Sequence, residues 1–254
     1  MSATSEQEFD SQKWRVSDYA ERYFDIERPF LDTALRSSIG PTVLQLGQHL
    51  SPSLVEDFDL PLLIKALSSV QGAQSEDGFS IVAADPAFLP FEPEAFSTVV
   101  LPHILERHKL PHQVLREAHR VLMPEGHIVL TGFSPNSFIG MQRWLRLRAV
   151  CPGKFYSIGR VIDWLQLLGF EVVSSKMFHF APISRSKRLR KTFSFFESAG
   201  DRWLPMTGGG YMISAKKREP GSTLVGRVKL KKSKRKLVAA TAAKTHANRS
   251  KVKD

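Results

Sequence analysis

The chain has 254 residues, 42% of them hydrophobic, with four Trp and 17 Phe, which is ample apolar volume for a globular core. Its single cysteine, Cys151, excludes an intrachain disulfide framework and a thiolate metal cage, and no apolar run reaches the ~18 residues that span a bilayer. The net charge of +11 is unevenly placed: 10 Lys/Arg stand against 19 Asp/Glu over 1–136, 11 against 2 over 137–191, 4 against 3 over 192–219 and 11 against 1 over 220–254.

The amino terminus, MSATSEQEFD, is polar and acidic, unlike the basic-then-apolar start of a secretory signal. With one cysteine, the expected location is the reducing cytoplasm. Over 14–39, Trp14, Tyr19, Tyr23, Ile26, Phe30 and Leu35 lie near one stripe at helical spacing. Ser17 is the expected N-cap and Gly40-Pro41 the stop, with Pro29 expected to kink the region or start a second helix. Val43–Gly47 then reads as a short buried strand, Pro52 to Leu60 as one helical turn, and Leu62–Ser68 as a second strand. Ile81–Ala84 and Thr98–Leu101 are apolar and β-branched, as in strands covered on both faces.

His112–Leu122 shows the clearest helical pattern, with Val114, Leu115, Ala118, Val121 and Leu122 at i, i+3, i+4 spacing. Pro124-Glu125-Gly126 is expected to stop it before a strand at His127–Gly132. Ile158–Leu168 predicts another amphipathic helix ended by Gly169, and Phe170–Phe180 and Gly210–Lys217 predict two closing strands. Strands alternating with helices imply an α/β fold with a mostly parallel sheet and helices on both faces. Three regions follow: a helical segment at 1–40, an α/β domain at 41–219, and a basic tail at 220–254 too poor in apolar surface to fold alone.

In such a sheet, ligands bind at the carboxyl ends of the strands, where strand order reverses. Gly47, in Gln45-Leu46-Gly47-Gln48-His49-Leu50-Ser51, borders that crevice, where a chain that turns tightly against a ligand needs glycine. No acidic residue ends Leu62–Ser68. Asp85 follows the third strand and precedes Leu89-Pro90-Phe91; a carboxylate there suits a donor-only amine edge, and Asp85-Pro86 equally suits a plain turn. Leu101-Pro102-His103-Ile104-Leu105-Glu106 follows the fourth strand.

The run from Ala84 to Phe133, with its AD-x-x-x-LPF motif, resembles the class I S-adenosylmethionine (SAM)-dependent methyltransferases of the type 11 domain family. The chain is most like proteobacterial members with an N-terminal helical segment, a relaxed glycine motif and a GF-x-P-x-S run, here Gly132-Phe133-Ser134-Pro135-Asn136-Ser137. The resemblance covers roughly 40–218 and implies a Rossmann-like class I methyltransferase fold of six or seven strands. It implies SAM as cofactor, held by Gly47, Ala84, Asp85 and Leu101, with Asp85 accepting a hydrogen bond from the adenine amino group. It places His103 at the methyl-transfer channel as the catalytic base. It also puts Asn136 on the substrate side. The family's G-x-G-x-G is reduced here to one glycine, with Gln45 in place of the acid, and the ribose-binding acid of the second strand has no counterpart.

Other chemistries lack their residues. His108 and His112 are four apart, but Pro111 spoils the shared helical face of a metal pair, so no metal is expected. Gly132-Phe133-Ser134-Pro135 lacks the second glycine of a nucleophile elbow, and neither a Walker A loop nor a dinucleotide fingerprint is present. Two basic stretches remain, 137–154 with Arg143, Trp144 and Arg146, and 185–196 with Arg185, Lys187, Arg188, Arg190 and Lys191 before Phe193, Phe195 and Phe196. Cations interleaved with aromatics suit phosphate contact and base stacking. They suit an anionic membrane surface less directly, and ordinary helices with solvated arginines give the same pattern. The expected function is a SAM-dependent methyltransferase with an anionic substrate, RNA among the candidates, which uses Asn136, Arg143, Trp144 and Arg146. The alternative is a non-catalytic module of the same fold that binds nucleic acid or a protein through its basic face.

Overall fold

The computed structural model describes residues 18–38, 40–47, 62–68, 80–145, 153–180 and 207–218. The contacts divide the chain after Pro220, and every described residue lies in the unit Met1–Pro220. In chain order the elements are α1 (Asp18–Ser38), β1 (Thr42–Leu46), β2 (Leu62–Leu67), β3 (Ser80–Ala83), β4 (Phe96–Pro102), α2 (Pro111–Val121), β5 (Leu122–Phe133), α3 (Phe138–Trp144), α4 (Ile158–Leu167), β6 (Phe170–Phe178) and β7 (Gly210–Lys217). The strands form one seven-stranded sheet of order β3-β2-β1-β4-β5-β7-β6. β7 alone runs antiparallel to its neighbours, and the rest of the ladder from β3 to β5 is parallel. Strand order reverses between β1 and β4, so their carboxyl ends frame the crevice where a ligand is expected.

The near-continuous apolar strands have a direct cause. Side chains alternate across the sheet, and both faces are covered. Leu44, Val99, Leu101, Ile128 and Leu130 pack on one face with Val114, Leu115 and Ala118 of α2 and Val161 and Leu165 of α4. Val43, Val100 and Val129 pack on the other with Tyr23, Phe24, Leu31 and Leu35 of α1. No described helix is long and apolar enough to cross a membrane.

One local expectation is narrowed and one is corrected. No second helix starts at Pro29: α1 is one helix with Pro29 inside it. Pro29 is exposed, so the missing N–H falls on the water side, while the buried face from Tyr23 to Leu35 holds the helix together. β5 starts at Leu122, directly after α2. Phe96 pairs with Leu122, and Thr98 next pairs with His127, so Pro124-Glu125-Gly126 bulges out of the strand instead of separating it from the helix. Glu125 takes a positive φ of 61° there. The expected turn at Pro52 to Leu60 and the Ser17 cap lie outside the described residues.

Candidate functional site

The β4–α2 loop, His103 to Leu110, is the hub of the carboxyl edge. Its side chains reach four different elements, starting with α1. His103 Nε2 lies 3.1 Å and 3.2 Å from the two carboxylate oxygens of Glu27, which is fully buried on α1. His103 Nδ1 lies 3.6 Å from Glu106 Oε1, an ionic contact longer than a hydrogen bond. Glu106 Oε1 in turn accepts the Phe133 N–H at 2.6 Å. Three aromatic rings enclose the imidazole: Phe133 at 4.2 Å between centroids, Tyr23 at 5.6 Å and Phe24 at 5.9 Å.

Burial is the largest single influence on His103 and opposes its charge. The Glu27 charge and the contacts with Glu106 and Glu27 together outweigh it and raise the pKa from 6.5 to about 9. The Phe133 ring, tilted by 31° at 4.2 Å, also favours a cation. His103 therefore carries its proton at neutral pH. An imidazolium between two carboxylates has no free lone pair for a substrate proton. Its backbone is also unusual, with a φ of 50°, outside the region favoured by residues with a Cβ.

Ile104 reaches β1. Gly47 has a φ of 80°, a conformation that favours glycine, and a Cβ there would push on Ile104 Cδ1 2.9 Å away. The Gly47 N–H donates to Ala66 O at 2.9 Å. Buried Gln45 donates from Nε2 to Gly47 O at 3.1 Å, so the residue in place of the family's acid props the turn from within. β2 ends in Ala66-Leu67-Ser68 with no acid.

The residues expected on the adenine side lie at the end of β3. Ala84 N–H donates to Leu67 O at 2.9 Å. Asp85 Oδ1 accepts the Ala87 N–H at 2.8 Å and lies 3.0 Å from His108 Nε2. The Asp85 side chain is 53% exposed, and neighbouring Phe88 is 65% exposed. Leu101 is fully buried in the core, which leaves only its main chain for a ligand. His112 faces elsewhere, 4.1 Å from the Trp164 ring, so it and His108 do not form a pair.

Beyond β5, a groove of about 570 Å³ is lined by Asn136, Ser137, Met141, Arg143, Trp144 and Phe155, among others. It brings together three of the four expected substrate residues; Arg146 lies outside the described residues, as do 181–206. Ser137 caps α3, accepting the Gly140 N–H at 3.0 Å and donating to Ser134 O at 2.7 Å. The Arg143 guanidinium lies 4.9 Å above the Phe155 ring, which stacks on Phe133 at 5.2 Å. A continuous column, His103–Phe133–Phe155–Arg143, thus joins the hub to the groove.

Sequence reasoning missed Glu27, Glu106, His108 and Phe155. Only Glu27 left a signal, an acid on the apolar stripe of α1 four residues after Tyr23.

The sequence pattern described as a methyltransferase domain matches residues 40–130. Over this segment the chain is similar to that family. YafS of Escherichia coli, an uncharacterized protein, is 40% identical over 104 residues, which cover 40% of this chain and 43% of that relative. The chain thus spans less than half of that curated relative's length. A SAM-dependent methyltransferase from Archaeoglobus fulgidus superposes with a TM-score of 0.55 at 16% identity, over 79% of this chain and all 100% of the other. The [4+2]-cyclase SpnF superposes with a TM-score of 0.51 at 14% identity, over 75% and 80%. Likeness at such identity establishes the class I methyltransferase fold alone, and the cyclase illustrates that one architecture hosts different reactions. Within the methyltransferase domain, the 40–130 match contains Gly47, Asp85 and the entire hub loop.

Proposed function

We propose that this chain is a cytoplasmic SAM-dependent methyltransferase with an anionic substrate, and that RNA is the substrate class its basic surfaces suit best. The observation that carries the reading is the hub loop, which ties the Gly47 turn, the Asp85 carboxylate and the end of β4 into one arrangement around the point where strand order reverses. The residues fit SAM at its adenine end. Asp85 takes both of its bonds on Oδ1, which leaves Oδ2 to accept from an exocyclic amine, with the exposed Phe88 ring beside it. Gly47 offers a turn without a Cβ, and Ala84 and Leu101 contribute main chain on either side. The ribose end is not matched by an acid on β2.

When bound, SAM supplies an electrophilic methyl group on its sulfonium. The chain's part is to hold and orient. Asn136, Arg143, Trp144 and Arg146 are assigned to the substrate, Arg143 as an anion contact and the 81% exposed Trp144 as a stacking surface. His103 is assigned to positioning: its charge anchors the column beneath Arg143 and fixes the loop. Alignment of substrate against methyl donor supplies much of the acceleration without a strong base.

Calorimetric titration with SAM, and with S-adenosylhomocysteine in parallel, tests the reading. Micromolar binding is expected. Asp85→Ala should weaken it about tenfold or more, as expected for a lost hydrogen bond to a charged group, and leave nucleic-acid affinity unchanged. Absence of heat and of thermal stabilisation at millimolar SAM would overturn the reading. It would favour a non-catalytic module that binds nucleic acid or a protein partner, for which the missing β2 acid and Gln45 already argue.

A further inference from the structure

We propose that His108 is the positioning residue of the Asp85 carboxylate, and that this pair makes the site selective for a purine edge that donates a hydrogen bond over one that accepts. The proposal rests on the reading of Asp85 as the adenine contact. It adds the residue that prepares the carboxylate and the discrimination that follows.

The hydrogen bonds fix the chemistry of His108. Its Nδ1 accepts the Leu110 N–H at 3.1 Å, so Nε2 carries the proton and donates to Asp85 Oδ1 at 3.0 Å. Both ring nitrogens are occupied, which leaves His108 neither a free base nor a metal ligand. Asp85 Oδ1 also receives the Ala87 N–H. Two donors converge on one oxygen, and Oδ2 has no partner among the described residues.

An aspartate that is 53% exposed would otherwise sample several rotamers, at an entropic cost when it binds. Here one side-chain donor and one main-chain donor both hold Oδ1. The His108 side chain is only 17% exposed, and its N–H bonds to Ile104 O at 3.0 Å, so the lock is built into the hub loop. The carboxylate thus presents an acceptor-only oxygen at the surface. It gains a bond from the amino group of adenine and meets the oxo group of hypoxanthine acceptor to acceptor. A site built around such a bond rejects the analogue that lacks the donor, because a polar group is left unpaired.

The test compares S-adenosylhomocysteine with its deaminated counterpart, S-inosylhomocysteine, by calorimetry on the full chain. Wild-type protein should prefer the adenosyl compound roughly tenfold or more. His108→Ala should weaken adenosyl binding and reduce the preference to within a factor of about two or three. His108→Gln, whose amide can donate from a position similar to Nε2, should restore most of both; thermal unfolding of each variant reports whether the fold is intact. Retained preference in a folded His108→Ala variant overturns this inference and leaves the methyltransferase reading standing. If the wild-type protein binds neither compound, both fall. If it binds both equally, SAM binding stands and the selectivity falls.

Discussion

Glu27 reaches from α1 across the sheet face to His103, and both are almost entirely removed from water. Folding therefore raises the proton affinity of one imidazole, to a pKa of about 9 from 6.5. A group that binds its proton more tightly when folded stabilises the fold fully below pH 6.5, and that stabilisation is lost as pH climbs through 9. Its size is about 3 kcal/mol at most, by the energy of a pKa unit. Urea denaturation should accordingly show stability falling from pH 7 to pH 10. Glu27→Gln should be destabilised at pH 7 by several kcal/mol, as for a broken buried pair, and show a much flatter profile across the same window. A flat wild-type profile would rule out the buried imidazolium. Asp85 was legible in the sequence because its neighbours carry a family motif. Glu27 was not, since its partner lies 76 residues away and helical spacing shows only that an acid falls on an apolar stripe.

Among the elements, α2 does more than cover the sheet. Glu117 Oε2 accepts the Leu89 N–H at 3.1 Å, while Arg120 donates to Phe91 O at 2.8 Å and to Leu89 O at 3.0 Å. The Arg120 bond is the main cause holding the Glu117 carboxyl below its usual pKa. One helix turn thus clamps the Leu89-Pro90-Phe91 segment that follows Asp85. Arg120→Ala leaves two carbonyls and a carboxylate without their donor and should cost about 1–3 kcal/mol in urea denaturation. Arg120→Lys should not rescue it, because an ammonium cannot fork between these acceptors. The sequence predicted β7 at its observed bounds, and β2, β3, α2 and α4 within one or two residues, because periodicity and end signals are local. It misplaced the start of β5, where Pro124 and Gly126 read as a stop. Whether such residues end an element or bulge from it is decided by pairing with β4, which is not a local property.

At the scale of the whole molecule, the segregation of charge was fully legible, since counting needs no structure. The first 136 residues are acidic, while 137–191 and 220–254 are basic. If RNA is the substrate, these basic segments contribute chiefly through counterion release. Deleting 220–254 removes 11 Lys/Arg and one Asp. It should lower RNA affinity and flatten its dependence on salt, read from binding isotherms at several salt concentrations; an unchanged slope would make the tail irrelevant to binding. What composition could not supply was the groove. Asn136, Arg143 and Trp144 sit close together in sequence, yet their floor comes from Phe155, beyond an intervening segment, and from the column leading back to His103.

The bond between α1 and the β4–α2 loop also bears on the order of folding. It closes a loop of 76 residues, so it gives nothing back until the intervening chain has been ordered, and long-range closure of this kind is slow. The Glu27 carboxylate is fully buried in the folded chain, and a charge leaves water favourably only once its buried partner is in place. α1 is therefore expected to be the last of the described helices to seat, when β4 has already delivered an imidazole to receive it. Until then His103 lacks its Glu27 carboxylate, and completion of the fold and completion of the hub loop become the same event.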